Sequence, residues 1–386
     1  MKLGRRAILL SAALLLAGCG NFWQAPSTTT TGSTGGTSTL SSGAFYVLNQ
    51  GTSQVAAYSI ASGTLTALSG SPYTLSAAPV SIAIAPNGDF LYVGTADGIY
   101  LYTIGSTGAL TLANNSAVIS NDLAAAMKVI ATTTNTWLVE AGPNAAALYA
   151  IAVNPTTGLL NSSTEQEQSI ALPAATVQQM AVSPDNTHVY VALGSSGTEE
   201  VVFAAGNADP FGGVANIPVK NSAGAAVSVA VDPSNRMLYV GETVASTGTN
   251  TGGLRAFNYS TLVEASGSPY ATGGLAPYSI LPTADGSYVY VANRTVSGSS
   301  TGNIAGFSFT TSGTTYTLTA LSGTATAGTA PVALAEDSIG NYLLVVDFGG
   351  NPDLEAYTMS AGVLTSVLSS KTGTDPVAAT AIAAAP

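Results

Sequence analysis

The sequence predicts an all-β fold, a seven-bladed β-propeller of four-stranded antiparallel blades whose last blade is closed by the N- and C-terminal strands. Three observations predict it. The stretch Pro79-Val-Ser-Ile-Ala-Ile-Ala-Pro-Asn-Gly-Asp-Phe-Leu-Tyr-Val93 recurs at Val227–Val240 and Pro277–Val291, with looser copies at Val177–Val191 and Pro331–Val345. Self-similarity at a fixed period marks a repeat architecture before any single element is assigned. Two aromatic-rich ladders then share one period. Tyr46, Tyr92, Leu138, Tyr190, Tyr239, Tyr290 and Leu344 stand 46, 46, 52, 49, 51 and 54 residues apart, and Tyr58, Tyr102, Tyr149, Phe203, Phe257, Phe307 and Tyr357 follow in the same order. Finally, no stretch carries the i, i+3, i+4, i+7 apolar spacing of a long amphipathic helix. A unit of about 45–50 residues built of short strands is the size of a propeller blade.

The chain begins with a segment that reads as a processing signal and not as part of the fold. Lys2, Arg5 and Arg6 precede the apolar run Ala7–Leu16, the layout of an export signal. The run is too short to span a bilayer, which takes about 20 residues. It ends in Leu16-Ala17-Gly18-Cys19, which resembles a bacterial lipobox. That resemblance implies acylation of Cys19 and residues 1–19 as a lipoprotein signal. The Arg5-Arg6 pair also resembles part of a twin-arginine export signal. Gly20 is not the aspartate that such lipoproteins use for inner-membrane retention, so the expected place is the outer membrane, the periplasm or the cell surface. Residues 20–42 are rich in Ser, Thr and Gly and read as a flexible tether. Residues 43–386 form the single propeller domain, expected as a monomer.

Within one unit the elements follow from local chemistry. Ser81–Ala85 reads as the small-residue strand nearest the crowded axis. Pro86-Asn87-Gly88-Asp89 is the hairpin turn, with Asn-Gly supplying the positive φ. Phe90–Gly94, Ile99–Ile104 and, after a turn at Gly108, Leu110–Ala113 complete the four strands. At the ends of the domain, Ala44–Leu48 looks like a second strand with no first strand before it. Pro376–Ala383 looks like a first strand with no second strand after it. Joined, the two leave no unpaired sheet edge.

Charge and cysteine content exclude several functions. Cys19 is the only cysteine, so the domain has no intrachain disulfide. Beyond residue 19, six basic residues (Lys128, Lys220, Arg236, Arg255, Arg294 and Lys371) face twenty acidic ones, a net charge of −14. The basic residues are scattered singly, whereas tracking a phosphate backbone needs clusters. Nucleic acid is not a partner, and the membrane is reached only through the lipid.

Phe45-Tyr-Val-Leu-Asn49, Val55-Ala-Ala-Tyr58, Gly63-Thr-Leu65, Gly70-Ser-Pro-Tyr73, Gly267-Ser-Pro-Tyr270 and Tyr290-Val-Ala-Asn293 together resemble the seven-bladed lactonase-like propellers and the YVTN-repeat surface proteins. The resemblance covers residues 43–386. It implies a fold strongly and an activity weakly, since every shared residue is structural. Members of the lactonase branch open 6-phosphogluconolactone or form lactones from muconates, using Arg, His and carboxylates around the central funnel. No motif here allows such a residue to be carried over singly.

Candidate site residues come from the second-strand ends, at the rim where propellers bind ligands. Three residues past each ladder position stand Asn49, Thr95, Ala141, Leu193, Glu242, Asn293 and Asp347. One further on are Gln50, Thr243, Arg294 and Phe348. Arg294 with Glu242 and Asp347 is the charged constellation: Arg294 would hold an anionic substrate while a carboxylate activates water. Asn49, Gln50, Asn293 and Thr243 would line the ligand. The plainer reading is that Arg294 only neutralises Glu242 and Asp347. No metal or other cofactor is expected; calcium is the one ion that Asn49, Glu242, Asn293 and Asp347 could hold, if four blades bring them close enough. His188, the sole histidine, aligns with Phe90 and so falls on the opposite rim. Asp185, Asp232 and Asp285 stand at equivalent hairpins and read as turn formers.

Two functions remain. The first is a lipid-anchored module at the cell envelope that binds a protein or glycan at the propeller rim, favoured by the scarcity of histidine and cations. The alternative is a lactone hydrolase using Arg294 with Glu242 or Asp347.

Overall fold

The computed structural model describes residues 43–144, 146–161, 167–243, 253–296, 299, 301–313, 315–323, 325–350, 352–368 and 376–385. The export signal, Cys19 and the tether expected at 20–42 lie outside them. The described chain is antiparallel β-structure throughout, apart from one short 3-10 turn at Asn114–Ser116.

Five sheets have four or five strands. Sheet I joins Ala44–Asn49, Gln54–Ala61, Thr64–Ala67 and Tyr73–Thr74 to the C-terminal strand Ala379–Ala384. Sheet II is Pro79–Ile84, Phe90–Thr95, Gly98–Ile104 and Leu110–Leu112, within two residues of the expected strands. Sheets III, IV and V span Ala126–Ala171, Gln179–Ile217 and Ala225–Ala271. Sheet VI carries eight strands between Pro277 and Leu368.

Seven separate blades were expected, and the hydrogen bonds instead group the strands into six sheets. The reason is local. Thr301–Ser312 and Ala325–Glu336 each run for 12 residues, and Thr301, Asn303 and Ile304 pair with Thr329, Thr326 and Ala325. The start of Ala325–Glu336 thus completes one four-strand set. After a bend at Ala330, where φ is +58°, its end pairs with Tyr342–Gly349 as the first strand of the next.

First strands neighbour one another around an axis, from Ala379–Ala384 to Pro79–Ile84, Ala126–Ala131, Gln179–Val182, Ala225–Val231, Pro277–Pro282 and Ala325–Glu336, and back to Ala379–Ala384. The two ends of the domain share sheet I, as expected. Tyr46 faces Ala383 and Leu48 faces Ala381, and the Gly51 N–H donates to the Val377 carbonyl at 2.9 Å.

The hydrophobic core is divided among the gaps between sheets. Tyr46 and Leu48 of sheet I pack on Ile82, Leu91 and Val93 of sheet II, and the pattern repeats around the ring. Each tyrosine of the first ladder, Tyr46 to Tyr290, is fully buried, and several reach across the gap. Tyr46, Tyr92 and Tyr290 donate their hydroxyls to the carbonyls of Gly108, Gly158 and Gly362 at 2.8, 2.7 and 3.1 Å. Burying a phenol with its O–H paired satisfies both its apolar body and its polar tip. The acceptor turns need glycine: at Gly158 φ is +71°, and a Cβ would fall 2.7 Å from the Phe90 ring.

Sheet III departs from the ladder. Trp137, not Leu138, reaches the next sheet, donating Nε1–H to the Ala205 carbonyl at 2.8 Å, while Leu138 packs back against sheet II. The hairpin before it, Thr132–Asn135, is one residue shorter than Ala85–Asp89 in sheet II, and a one-residue slip turns every later side chain to the other face.

Tyr92→Phe leaves the Gly158 carbonyl without its buried donor and is expected to destabilise by about 1–3 kcal/mol. Gly158→Val is expected to lose more. Urea unfolding midpoints check both, with an unchanged midpoint for Gly158→Val as the contrary result.

Candidate functional site

The residues expected at the rim are held inside the sheets. Asn49 is buried, and its Oδ1 accepts the Val377 N–H at 3.0 Å, which fastens the closing strand. Gln50 is half-buried, with its N–H on the Ala378 carbonyl at 3.3 Å. Asn293 is fully buried: Oδ1 accepts the Thr272 hydroxyl at 2.7 Å, and Nδ2 donates to the Thr272 carbonyl and Asn303 Oδ1. Thr243 Oγ1 accepts the Ala225 N–H at 3.0 Å.

Glu242 and Arg294 do not meet. Glu242 pairs with Arg255, whose Nη1 lies 2.6 Å from Oε1, and it also accepts the Lys220 N–H at 3.1 Å. The register sets Arg255 opposite Val240, on the face that Glu242 shares as the second residue along. Arg255 also reaches Glu264 at 3.1 Å, and Lys220 Nζ reaches Glu264 at the same distance. Burial works to raise the Glu264 carboxyl, but hydrogen bonds from Arg255, Ser268 and Lys220 outweigh it and hold it down at about 2. Arg294 instead lies over the rings of Tyr278 and Phe348, 5.0 and 5.6 Å from their centroids, and makes no ion pair among the described residues. An aromatic face attracts a guanidinium, so this cation has a resting place without a carboxylate.

Asp347 is fully buried, and neither carboxylate oxygen completes a hydrogen bond. Burial and the nearby Glu355 and Asp353 carboxylates push it up to about 9, with the Gly328 N–H offsetting part of this. Glu355 occupies, opposite Val345, the place that Arg255 occupies opposite Val240. The last strand set thus has an acid where its neighbour two sets back has a base, which favours the protonated form of the Asp347 carboxyl.

Glu140 belongs to the same series and was hidden by the slip in sheet III. Counting three residues from Trp137 reaches Glu140 instead of Ala141. It is buried, Oε2 has no partner, and burial followed by the charges of Asp122 and Glu167 pushes it up to about 8. Its sequence signal was Trp137 itself, an aromatic one place early in the ladder.

His188 sits at the opposite rim, as its alignment indicates. Nδ1 shares hydrogen bonds with Tyr259 Oη at 2.9 Å and Thr187 Oγ1 at 2.7 Å, and Tyr259 Oη donates to Asp185 at 3.1 Å. Asp185, Asp232 and Asp285 accept backbone N–H groups two residues on, from Thr187, Ser234 and Ser287, which is the local reason for an aspartate in such turns. Among the described residues no three His, Cys, Asp or Glu side chains are grouped to hold a metal. Asn49, Glu242, Asn293 and Asp347 each hold partners or neighbours in their own surroundings.

A recess of about 620 Å3 opens on the rim that carries the first-to-second and third-to-fourth strand turns, between sheets III and IV. Asn135, Asn154, Asn161, Asn207 and Thr134 line it, with Trp137 in its wall, and no charged side chain among the described residues lines it. Thr134 and Asn207 are exposed, Asn135, Asn154 and Asn161 are half-buried, and Trp137 is only 4% exposed.

With this geometry in place, the likeness to known structures is informative. A candidate 6-phosphogluconolactonase from Bacteroides uniformis superposes with a TM-score of 0.67 at 15% identity, over 89% of this chain and 99% of that one. A second, from Bacteroides fragilis, gives 0.65 at 14%, over 91% and 100%. In fold, the chain is a β-propeller of four-stranded antiparallel blades. Hydrazine synthase of Kuenenia stuttgartiensis also aligns, with a TM-score of 0.59 at 14% identity over 82% and 92%. At these identities the likeness is one of shape alone. No protein-family profile and no curated protein sequence matches the chain.

The buried acids give stability a definite pH dependence. Glu140, Asp347 and Glu336, the last pushed up to about 7 by burial, bind protons more tightly folded than unfolded. Their contribution is complete below about pH 4 and is lost as pH rises toward 9. Glu264 acts oppositely, its contribution being lost as pH falls toward 2. The melting temperature should therefore fall from pH 5 to pH 9, and Asp347→Asn should flatten that fall. A melting temperature that climbs over this range would contradict the assignment.

Proposed function

We propose that the chain is an exported, lipid-anchored propeller that binds a ligand at the cell envelope without transforming it. One observation carries this reading: the side chains that could perform hydrolysis at the expected rim are engaged inside the protein. Glu242 is neutralised by Arg255, Asn293 is closed within sheet VI, and Arg294 rests on aromatic rings. General acid–base work needs a group within hydrogen-bond reach of substrate, and Asp347 and Glu140 are buried away from it. The anchor rests on the lipobox at Cys19, with the outer membrane or the cell surface as its place.

Seven wedges are part of the same proposal. The closed ring of first strands supports counting sheet VI as two blades. So does the packing of Leu281 and Tyr290 from its first half on Leu334 and Val345 from its second. A propeller of that build acts as a single monomeric domain.

A lactone hydrolase is the second reading, favoured by the two candidate 6-phosphogluconolactonases of like shape. Against a phosphorylated substrate stand the engaged cations: Lys220 on Glu264, Arg236 on Asp232 at 2.6 Å, and Arg255 on Glu242.

Purified protein is expected to show no turnover of 6-phosphogluconolactone or glucono-δ-lactone above the spontaneous rate, with or without added calcium. Turnover abolished by Glu242→Ala or Asp347→Asn would establish the hydrolase instead. Cys19→Ser is expected to move the protein from the membrane fraction to the soluble one; retention in the membrane would remove the lipid anchor from the proposal.

A further inference from the structure

The recess between sheets III and IV arises where the repeat breaks. At three other gaps a ladder tyrosine meets a glycine carbonyl: Tyr46 at Gly108, Tyr92 at Gly158 and Tyr290 at Gly362. Here Trp137 takes the tyrosine's place and meets Ala205 in a seven-residue turn, Ala204–Pro210, against two residues, Ser62 and Gly63, in sheet I. Departures from a repeat's own rule concentrate at functional positions.

The chemistry of the recess is uniform. It concentrates asparagine and threonine and has no Asp, Glu, Lys or Arg among the described residues of its lining, in a chain of net charge −11. Asn135 Nδ2 and Trp137 Nε1 both donate to the Ala205 carbonyl, at 3.1 and 2.8 Å, so these groups are fixed. Asn154 Oδ1 accepts the N–H groups of Thr156 and Thr157, which holds that turn. The amides of Asn161 and Asn207 have no hydrogen-bond partner among the described residues and remain available. Each amide offers a donor and an acceptor side by side, the complement of a hydroxyl that both gives and takes. An anion would find no counter-charge here. A volume of about 620 Å3 lies within the range of small-molecule sites, large enough for a disaccharide.

We propose that this recess binds a neutral carbohydrate, with Asn161 and Asn207 reading its hydroxyls and Trp137 forming the wall. The assignment rests on the non-catalytic reading above and names its ligand class. It moves the binding surface from the rim at the second-strand ends to the opposite rim, between two sheets.

Trp137 supplies the readout. The chain has two tryptophans, at positions 23 and 137, so in the full chain carrying Trp23→Phe the emission reports the recess alone. Titration with maltose, cellobiose, lactose and chitobiose is expected to give a saturable change with at least one of them, and 6-phosphogluconate none. Asn161→Ala and Asn207→Ala are each expected to weaken that binding about tenfold, the loss for one well-made polar contact, with unchanged melting temperatures. No saturable change with any of the four sugars would overturn the proposal, as would equal affinity in both variants or preferential binding of 6-phosphogluconate. Failure here with no lactone turnover leaves the non-catalytic reading standing and removes only the carbohydrate site. Lactone turnover would overturn that reading independently.

Discussion

The whole arrangement depends on the pairing of Ala379–Ala384 with Ala44–Asn49. A ring of sheets has no end caps of its own, so each sheet stays covered only while the circle is closed. Here the last strand of the chain supplies the innermost strand of the first sheet, and Asn49 ties its entry through the Val377 N–H. Alanine dominates the closing strand, at positions 379, 381, 383 and 384. Small side chains suit an axis where strands crowd, and each contributes little burial alone. Closure therefore relies on backbone pairing and on the large residues flanking it. Phe45, Val47, Leu344 and Val346 pack with Ala379, Ile382 and Ala384 on one side, and Tyr46 and Leu48 with Ala381 and Ala383 on the other.

The buried polar groups at the second-strand ends follow from the same geometry. That position lies against the loop entering the first strand, where backbone N–H groups need acceptors. Asn49 and Thr243 meet this need with neutral groups, Glu242 meets it with a charge that Arg255 balances, and Asn293 instead donates to the Thr272 carbonyl. Asp347 and Glu140 carry no such balance, and burial raises their pKa instead. Polar identity at these positions is thus explained by folding, and their attraction as catalytic candidates came from the same fact. A buried acid and a catalytic acid look alike in sequence.

The strand order, the tyrosine ladder and the closure were legible because a repeat states them several times over. The Asn87-Gly88 hairpin and its relatives were legible because turn geometry is local. Four things were not. Sheet III slipped by one residue through a hairpin one residue shorter, which Leu138 concealed by being as apolar as the residue it replaced. The fusion into an eight-stranded sheet depends on how far Ala325–Glu336 extends beyond its repeat, a tertiary matter. Arg255 was passed over because pairing with Glu242 depends on cross-strand register, whereas Arg294 drew attention by sequence adjacency to Asn293. The recess escaped notice for a related reason: Trp137 and the Ala204–Pro210 turn are far apart in sequence, and only the neighbouring of sheets III and IV joins them.

Native-state hydrogen exchange of the intact protein tests the closure most directly. Chain termini ordinarily fray and exchange through small local openings, while core strands exchange only on global unfolding. If the ring depends on its last strand, the amides of Ala379 to Ala384 should exchange as slowly as those of Leu91 to Val93 in sheet II. Fast exchange at Ala379–Ala384 with sheet II still protected would show that the sheets stand without the closing strand, and would contradict the account.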